Sequence, residues 1–159
     1  MRVLVVDESA ERAELLRAAL LQAGYEVTAS LSPPLALLET IGQLQPDVIV
    51  IDTDSPSRDV LEYLVMLSRH TPRPVVMFAS DSTRETIREA TRAGVSAYVV
   101  DGLDPARIQP IVDAAVARFE EVQTLKAQLA DANTKLTERK LVERAKGLLM
   151  KSRGLDEGA

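Results

Sequence analysis

The 159-residue chain has no cysteine and no tryptophan, one histidine, two phenylalanines and three tyrosines. Without cysteine, disulfide scaffolds, thiolate zinc sites and cysteine nucleophiles are excluded. The lone His70 leaves metal hydrolysis and Ser-His-Asp chemistry short of the groups they need, and its place beside Thr71 and Pro72 suits a surface helix C-terminus. Tyr25 and Tyr63 fit half-buried packing positions. Long apolar runs are missing too: stretches such as 3–6 and 48–51 fall far below the ~20 residues of a bilayer span. No membrane-crossing segment is expected. The opening MRVLVVDES turns acidic with no apolar h-region before a small-residue cleavage site, so a cytoplasmic location is the expectation.

What is present suffices for a core. Hydrophobic residues make up 46% of the chain and charged residues 27%, which fits one soluble domain with an appendage. The net charge of −5 conceals an asymmetry. Residues 1–134 carry 12 basic and 20 acidic side chains, whereas 135–153 carry seven basic and two acidic. An acidic body with a basic tail suits a module that meets a polyanion, and equally an ordinary solvated helix surface.

Short Val- and Ile-rich runs at 2–6, 25–29, 47–51, 74–78 and 97–100 alternate with amphipathic stretches near 9–23, 34–44, 58–69 and 82–93. Gly24, Pro46, Pro72 and Gly94 stand where elements should end. Five strands alternating with helices predict a parallel sheet covered on both faces, whose chemistry belongs beyond the carboxyl ends of the strands. A fifth helix starts at Pro105 behind the capping Asp104 and finds no further stop until Gly154, so about 40 residues can form one helix that projects from the domain. Pro110 should kink or restart it.

Strand one ends in Asp7 and Glu8, and strand three in Asp52, with Asp54 and Pro56 following. In the strand order 2-1-3-4-5 these strands are neighbours, so their acids meet beside the switch point. Clustered carboxylates repel unless a cation joins them, and oxygen donors without histidine select a hard ion such as Mg²⁺. Asp52 could itself become an aspartyl phosphate. Simple capping of helices and turns is the plainer alternative.

With VLVVDES, PDVIVIDTDSP, PVVMFAS and RAGVSAYVV in that strand–helix order, residues 1–119 resemble a receiver domain of the two-component response regulators. The resemblance implies a CheY-like (flavodoxin-like) α/β fold, a five-stranded parallel sheet of order 2-1-3-4-5 followed by a long C-terminal helix. It implies that Asp52 is the phosphoacceptor, that Asp7 and Glu8 with Asp52 hold Mg²⁺, and that Tyr98 is the switch aromatic. Two positions depart from the pattern. Ala79, followed by Ser80, stands where the family has a hydroxyl residue, and Asp101 where it has a lysine; no lysine precedes Lys126. An acid in place of an ammonium adds negative charge where the phosphoryl oxygens need the opposite. A degenerate receiver follows.

Downstream, Val122, Leu125, Leu129, Ala132 and Leu136 alternate by three and four, the seam spacing of a coiled coil, over 115–140. A parallel dimer and a helix folded back on its own domain both satisfy that stripe. Leu141, Val142, Ala145, Leu148 and Leu149 form a second apolar arc ~120° wide on the opposite side. Lys135, Arg139, Lys146 and Arg153 flank it on one edge, and Lys140, Arg144 and Lys151 on the other. Gly147, costly inside a helix, predicts a close approach by another helix or by RNA.

LTERKLVERAKGLLMKSRGLDE resembles the opening helix of the ANTAR domain, through Leu136, Arg139, Ala145, Lys146, Gly147, Leu149, Met150 and Gly154. Receiver, coiled coil and ANTAR in that order resemble the AmiR/NasT-like antitermination regulators. The implied organisation is a receiver at 1–119, a coiled-coil helix at 115–140 and an incomplete ANTAR domain at 136–159. The implied function is a non-enzymatic, signal-responsive antitermination regulator that dimerises and binds RNA leader hairpins, with a sensor protein as a further partner. With no aromatic residue after Phe119, base stacking by the tail is unavailable, so backbone contact and RNA shape must carry recognition. The alternative is a pseudo-receiver that sequesters a sensor protein without touching nucleic acid.

Overall fold

Alternation of side chains across an extended backbone divides the central runs between two faces. Val3 and Val5 pack on one side with Val48, Val50, Val76 and Phe78, and Leu4 and Val6 on the other with Ile49, Ile51, Val75 and Met77. The computed structural model describes residues 1–31 and 37–157, and the side chains of all of these except 30, 31 and 149–157. The order is β1 (Arg2–Asp7), α1 (Ala10–Gln22), β2 (Glu26–Leu31), α2 (Leu37–Leu44), β3 (Val48–Thr53), α3 (Arg58–His70), β4 (Val75–Ala79), α4 (Arg84–Ala93), β5 (Ala97–Val100) and α5 (Pro105–Glu157). The strands form one sheet of order β2-β1-β3-β4-β5, every pairing parallel. The chain divides into two units, Met1–Phe119 and Glu120–Ala159.

In the first unit, Leu16, Ala19 and Leu20 of α1 and Ile108, Val112 and Ala115 of α5 cover one face of the sheet. The other face is covered by Leu37 and Ile41 of α2, Val60, Leu64 and Leu67 of α3, and Ala90 and Ala93 of α4. Fully burying a Leu or Ile contributes ~1.5–3 kcal/mol, so these two layers dominate the stability of the unit. Gly94 ends α4 with φ +112, and a Cβ there would lie 3.3 Å from that of Ser68 on α3. Glycine is required at that corner both by the left-handed backbone and by the close approach.

Several boundaries move. β2 begins at Glu26 rather than 25, and α4 at Arg84 rather than 82, because Asp81 is engaged in a turn with Thr83 before the helix starts. Helix was expected from 34; residues 32–36 lie outside the described ones, and α2 is described from Leu37. The helix does not restart at Pro110: α5 is one 53-residue helix that also continues through Gly154. The carbonyl that loses its donor to Pro110 belongs to Ala106, an exposed first-turn residue, where water can take the donor's place. Among the described residues, no helix is long and apolar enough to cross a membrane.

Candidate functional site

Parallel pairing of β1 with β3 puts Asp7 directly opposite Asp52 at the carboxyl edge of the sheet. Asp7 is only 3% exposed; its Oδ1 accepts the Ser9 N–H at 2.8 Å, and its Oδ2 is buried with no hydrogen-bond partner. Half-burial, then the close approach and negative charge of Asp7, push the Asp52 carboxyl up to about 6, against the pull of Arg12. A buried carboxylate oxygen without a donor beside a second carboxylate is a donor set suited to a hard divalent cation. The expected third member behaves differently. Glu8 lies in the bend just past the strand and is exposed. Among the described residues no group of three or more His, Asp or Glu side chains is drawn together as a cation site.

Ala79 closes β4 beside Thr53 of β3, one register position beyond Asp52. Thr53 is buried, and its hydroxyl is turned to the Ser55 carbonyl at 3.2 Å. Asp101 follows β5 in the left-handed region, φ +46, exposed, with its N–H donated to the Ala79 carbonyl at 3.2 Å. Tyr98 is partly buried against the α2–α4 layer, and its hydroxyl donates to the Asp81 carbonyl. Burial, then the charge of Asp81, raises its phenol above the ordinary range.

Sequence reasoning passed over the residues that organise this edge. Arg12, in the first turn of α1, places Nη1 2.8 Å from Asp54 Oδ1 and Nε 3.9 Å from Asp7 Oδ1. The backbone carbonyl of Asp54 accepts the N–H groups of Ser80 and Asp81 at 3.0 and 2.9 Å, tying the β3–α3 loop to the β4–α4 loop. Asp81 accepts from the Thr83 N–H and hydroxyl, the Ser55 hydroxyl and Thr86, and these donors lower its carboxyl to about 2. The available signal was positional: Arg12 sits one turn after the acidic strand end, in a chain with no lysine before Lys126.

In the second unit the seam residues Val122, Leu125, Leu129 and Leu136 are 38–61% exposed, and Ala132 is exposed as well. Leu141, Val142 and Leu148 are 53–70% exposed on the opposite side of the helix. Lys135, Arg139, Lys140, Arg144 and Lys146 are exposed, and Lys135 pairs with Asp131 at 3.3 Å. The side chains of Leu149, Met150, Lys151 and Arg153 lie outside the described ones. A Cβ built on Gly147 has open space around it, so the close helix packing expected at this glycine is not found among the described residues.

Comparison with known proteins accounts for both units. A family model described as the response regulator receiver domain matches residues 3–113, and one described as the ANTAR domain matches 130–159. The transcriptional regulatory protein PdtaR of Mycobacterium tuberculosis is 31% identical over 160 residues, covering 98% of this chain and 76% of PdtaR. A protein-glutamate methylesterase/protein-glutamine glutaminase of Xanthomonas oryzae is 40% identical over 102 residues, but these cover 62% of this chain and only 28% of that enzyme, a match confined to the receiver. Among solved structures, a chemotaxis response regulator of Vibrio cholerae superposes with a TM-score of 0.62 at 21% identity, covering 72% of this chain and 97% of that one. The receiver match, the ANTAR match and likeness to a relative along nearly the whole length have one reading: this chain belongs to the ANTAR-containing response regulators, a regulatory rather than an enzymatic family.

Proposed function

We propose that the chain is a cytoplasmic transcription antitermination regulator that dimerises through the seam of α5 and binds RNA leader hairpins with the basic edges of its tail. The observation that carries this reading is the segment matched by the ANTAR model, in which apolar Leu141, Val142 and Leu148 stand exposed between basic edges. The printed description of PdtaR as transcriptional regulatory supports it. Such a helix can pack its arc against other helices while Lys135, Arg139 and Lys146 on one edge and Lys140 and Arg144 on the other meet phosphates; Lys151 and Arg153 extend the edges in sequence. The proposed organisation is a receiver at 1–119, a coiled-coil segment at 115–140 and ANTAR sequence at 136–159.

The receiver in this proposal is degenerate. Asp52 is the phosphoacceptor by position, and Asp7 and Asp52, with Glu8, would hold Mg²⁺. When bound, the ion would supply positive charge for the phosphoryl oxygens. Ala79 has no hydroxyl to offer that group, and Asp101 would repel it, so Tyr98 is not driven by phosphorylation. Filter binding of the full chain to RNA hairpins at two salt concentrations tests the function. Binding should weaken about 10-fold or more between 50 and 200 mM salt if several phosphates are neutralised. No hairpin binding at the lower salt would favour the pseudo-receiver that sequesters a sensor protein.

A further inference from the structure

Arg12 stands at a position that its own helix disfavours. Ser9 caps α1, with its side chain accepting the Arg12 N–H, so Arg12 is the third residue of the helix, where unpaired N–H groups and the macrodipole favour an anion. What holds a guanidinium there is the acidic edge of the sheet. It contacts Asp54 at 2.8 Å and approaches Asp7 to 3.9 Å, and the charge of Asp52 also acts on it. Asp54 offers a fixed anchor because its own carbonyl is held by Ser80 and Asp81. No other cationic side chain among the described residues lies within ion-pairing distance of Asp7 or Asp54. The position where the family has a lysine carries Asp101 instead.

We propose that Arg12 is the resident counter-ion of this pocket and competes with a divalent cation for it, so that the cation gains Asp7 and Asp52 only by displacing the guanidinium. This rests on the reading of Asp7 and Asp52 as cation ligands. Two features besides the acidic cluster support it. The Asp7 Oδ2 is buried and unpartnered, so the pocket retains an acceptor that the guanidinium does not satisfy. Asp54, at 78% side-chain exposure, can release or recapture Arg12 without disturbing the core. Arg12 is thus a positioning residue, and it sets how much free Mg²⁺ the receiver needs.

The test measures Mn²⁺ binding to the full chain by electron paramagnetic resonance of the free ion, with Mg²⁺ as competitor. R12Q should bind about 10-fold more tightly than wild type, because a cation at contact distance has been removed. R12K, which retains the charge, should stay near wild type. R58Q makes the same change in net charge at an exposed residue paired with Glu62 at 3.3 Å, and should stay within about threefold of wild type. A measurement on the unmodified chain covers failure of R12Q to fold. The Arg12 Nε–H resonance should shift on adding Mg²⁺, with the same midpoint as the amides of Asp7 and Asp52. Equal affinity of R12Q and wild type, R12K as tight as R12Q, or an unmoved Arg12 resonance at saturating Mg²⁺ would each overturn the competition while leaving the cation site standing. Binding by none of the proteins would overturn the cation reading, and this proposal with it.

Discussion

Asp52 stands half-buried beside a second carboxylate at the sheet edge. Burial and the neighbouring Asp7 raise its carboxyl from 3.8 to about 6, so between those values the folded chain binds more protons at this site than the unfolded chain does. The stability contribution is therefore greatest at low pH and falls as pH rises from about 4 to about 6, by about 1 kcal/mol once solvent screening of a half-exposed group is included. Asp52→Asn removes this slope. In metal-free buffer, thermal unfolding followed by circular dichroism should show the variant gaining on wild type across that window and holding its advantage above it. Parallel curves at every pH would refute the assignment.

At the scale of the element, α5 serves two environments within one continuous helix. Its first turns are sorted by the sheet, which buries Ile108, Val112 and Ala115. Beyond Phe119, Val122, Leu125 and Leu129 keep an apolar stripe but are exposed. A stripe of this spacing is satisfied by a second helix, each buried leucine contributing ~1.5–3 kcal/mol. Replacing Leu125 and Leu129 together by Asp should convert a dimer into a monomer in sedimentation velocity without altering the far-ultraviolet spectrum of the sheet domain. A wild-type chain that sediments as a monomer at high micromolar concentration would rule out the seam. The same helix shows the limits of local rules: Pro110 and Gly154 read as breaks, yet neither interrupts it.

For the whole molecule, the question is whether the receiver can inform the tail. Tyr98 is tied to the Asp81 carbonyl, and Asp81 is itself fixed by Ser55, Thr83 and Thr86, so the β3–α3 and β4–α4 loops and β5 are joined by hydrogen bonds that do not involve a phosphoryl group. Ala79 and Asp101 provide no attraction to rearrange them. A small phosphodonor should therefore label Asp52 only briefly and below stoichiometry, and should change hairpin affinity by less than about threefold, under ~0.7 kcal/mol. Stable stoichiometric labelling with a large change in RNA affinity would return this receiver to ordinary phosphorylation control.

Much of this was legible in the chain, and the reason is periodicity. Val-rich runs that alternate with amphipathic stretches admit few topologies, and the parallel order predicted from them brings Asp7 to Asp52, which the register of β1 on β3 reproduces. The two opposed stripes of α5 were visible for the same reason, since a fixed rotation per residue assigns faces without any tertiary contact. What only the folded molecule decided depends on side chains far apart in sequence. Arg12 and Asp54 are 42 residues apart and Ser55 and Asp81 are 26 apart, and no local pattern selects those partners. For Glu8, the strand-end motif and the family resemblance point to the same pocket as Asp7. The fold leaves Glu8 exposed and gives the place beside Asp7 to an arginine five residues on, because one turn of α1 returns that side chain over the strand end.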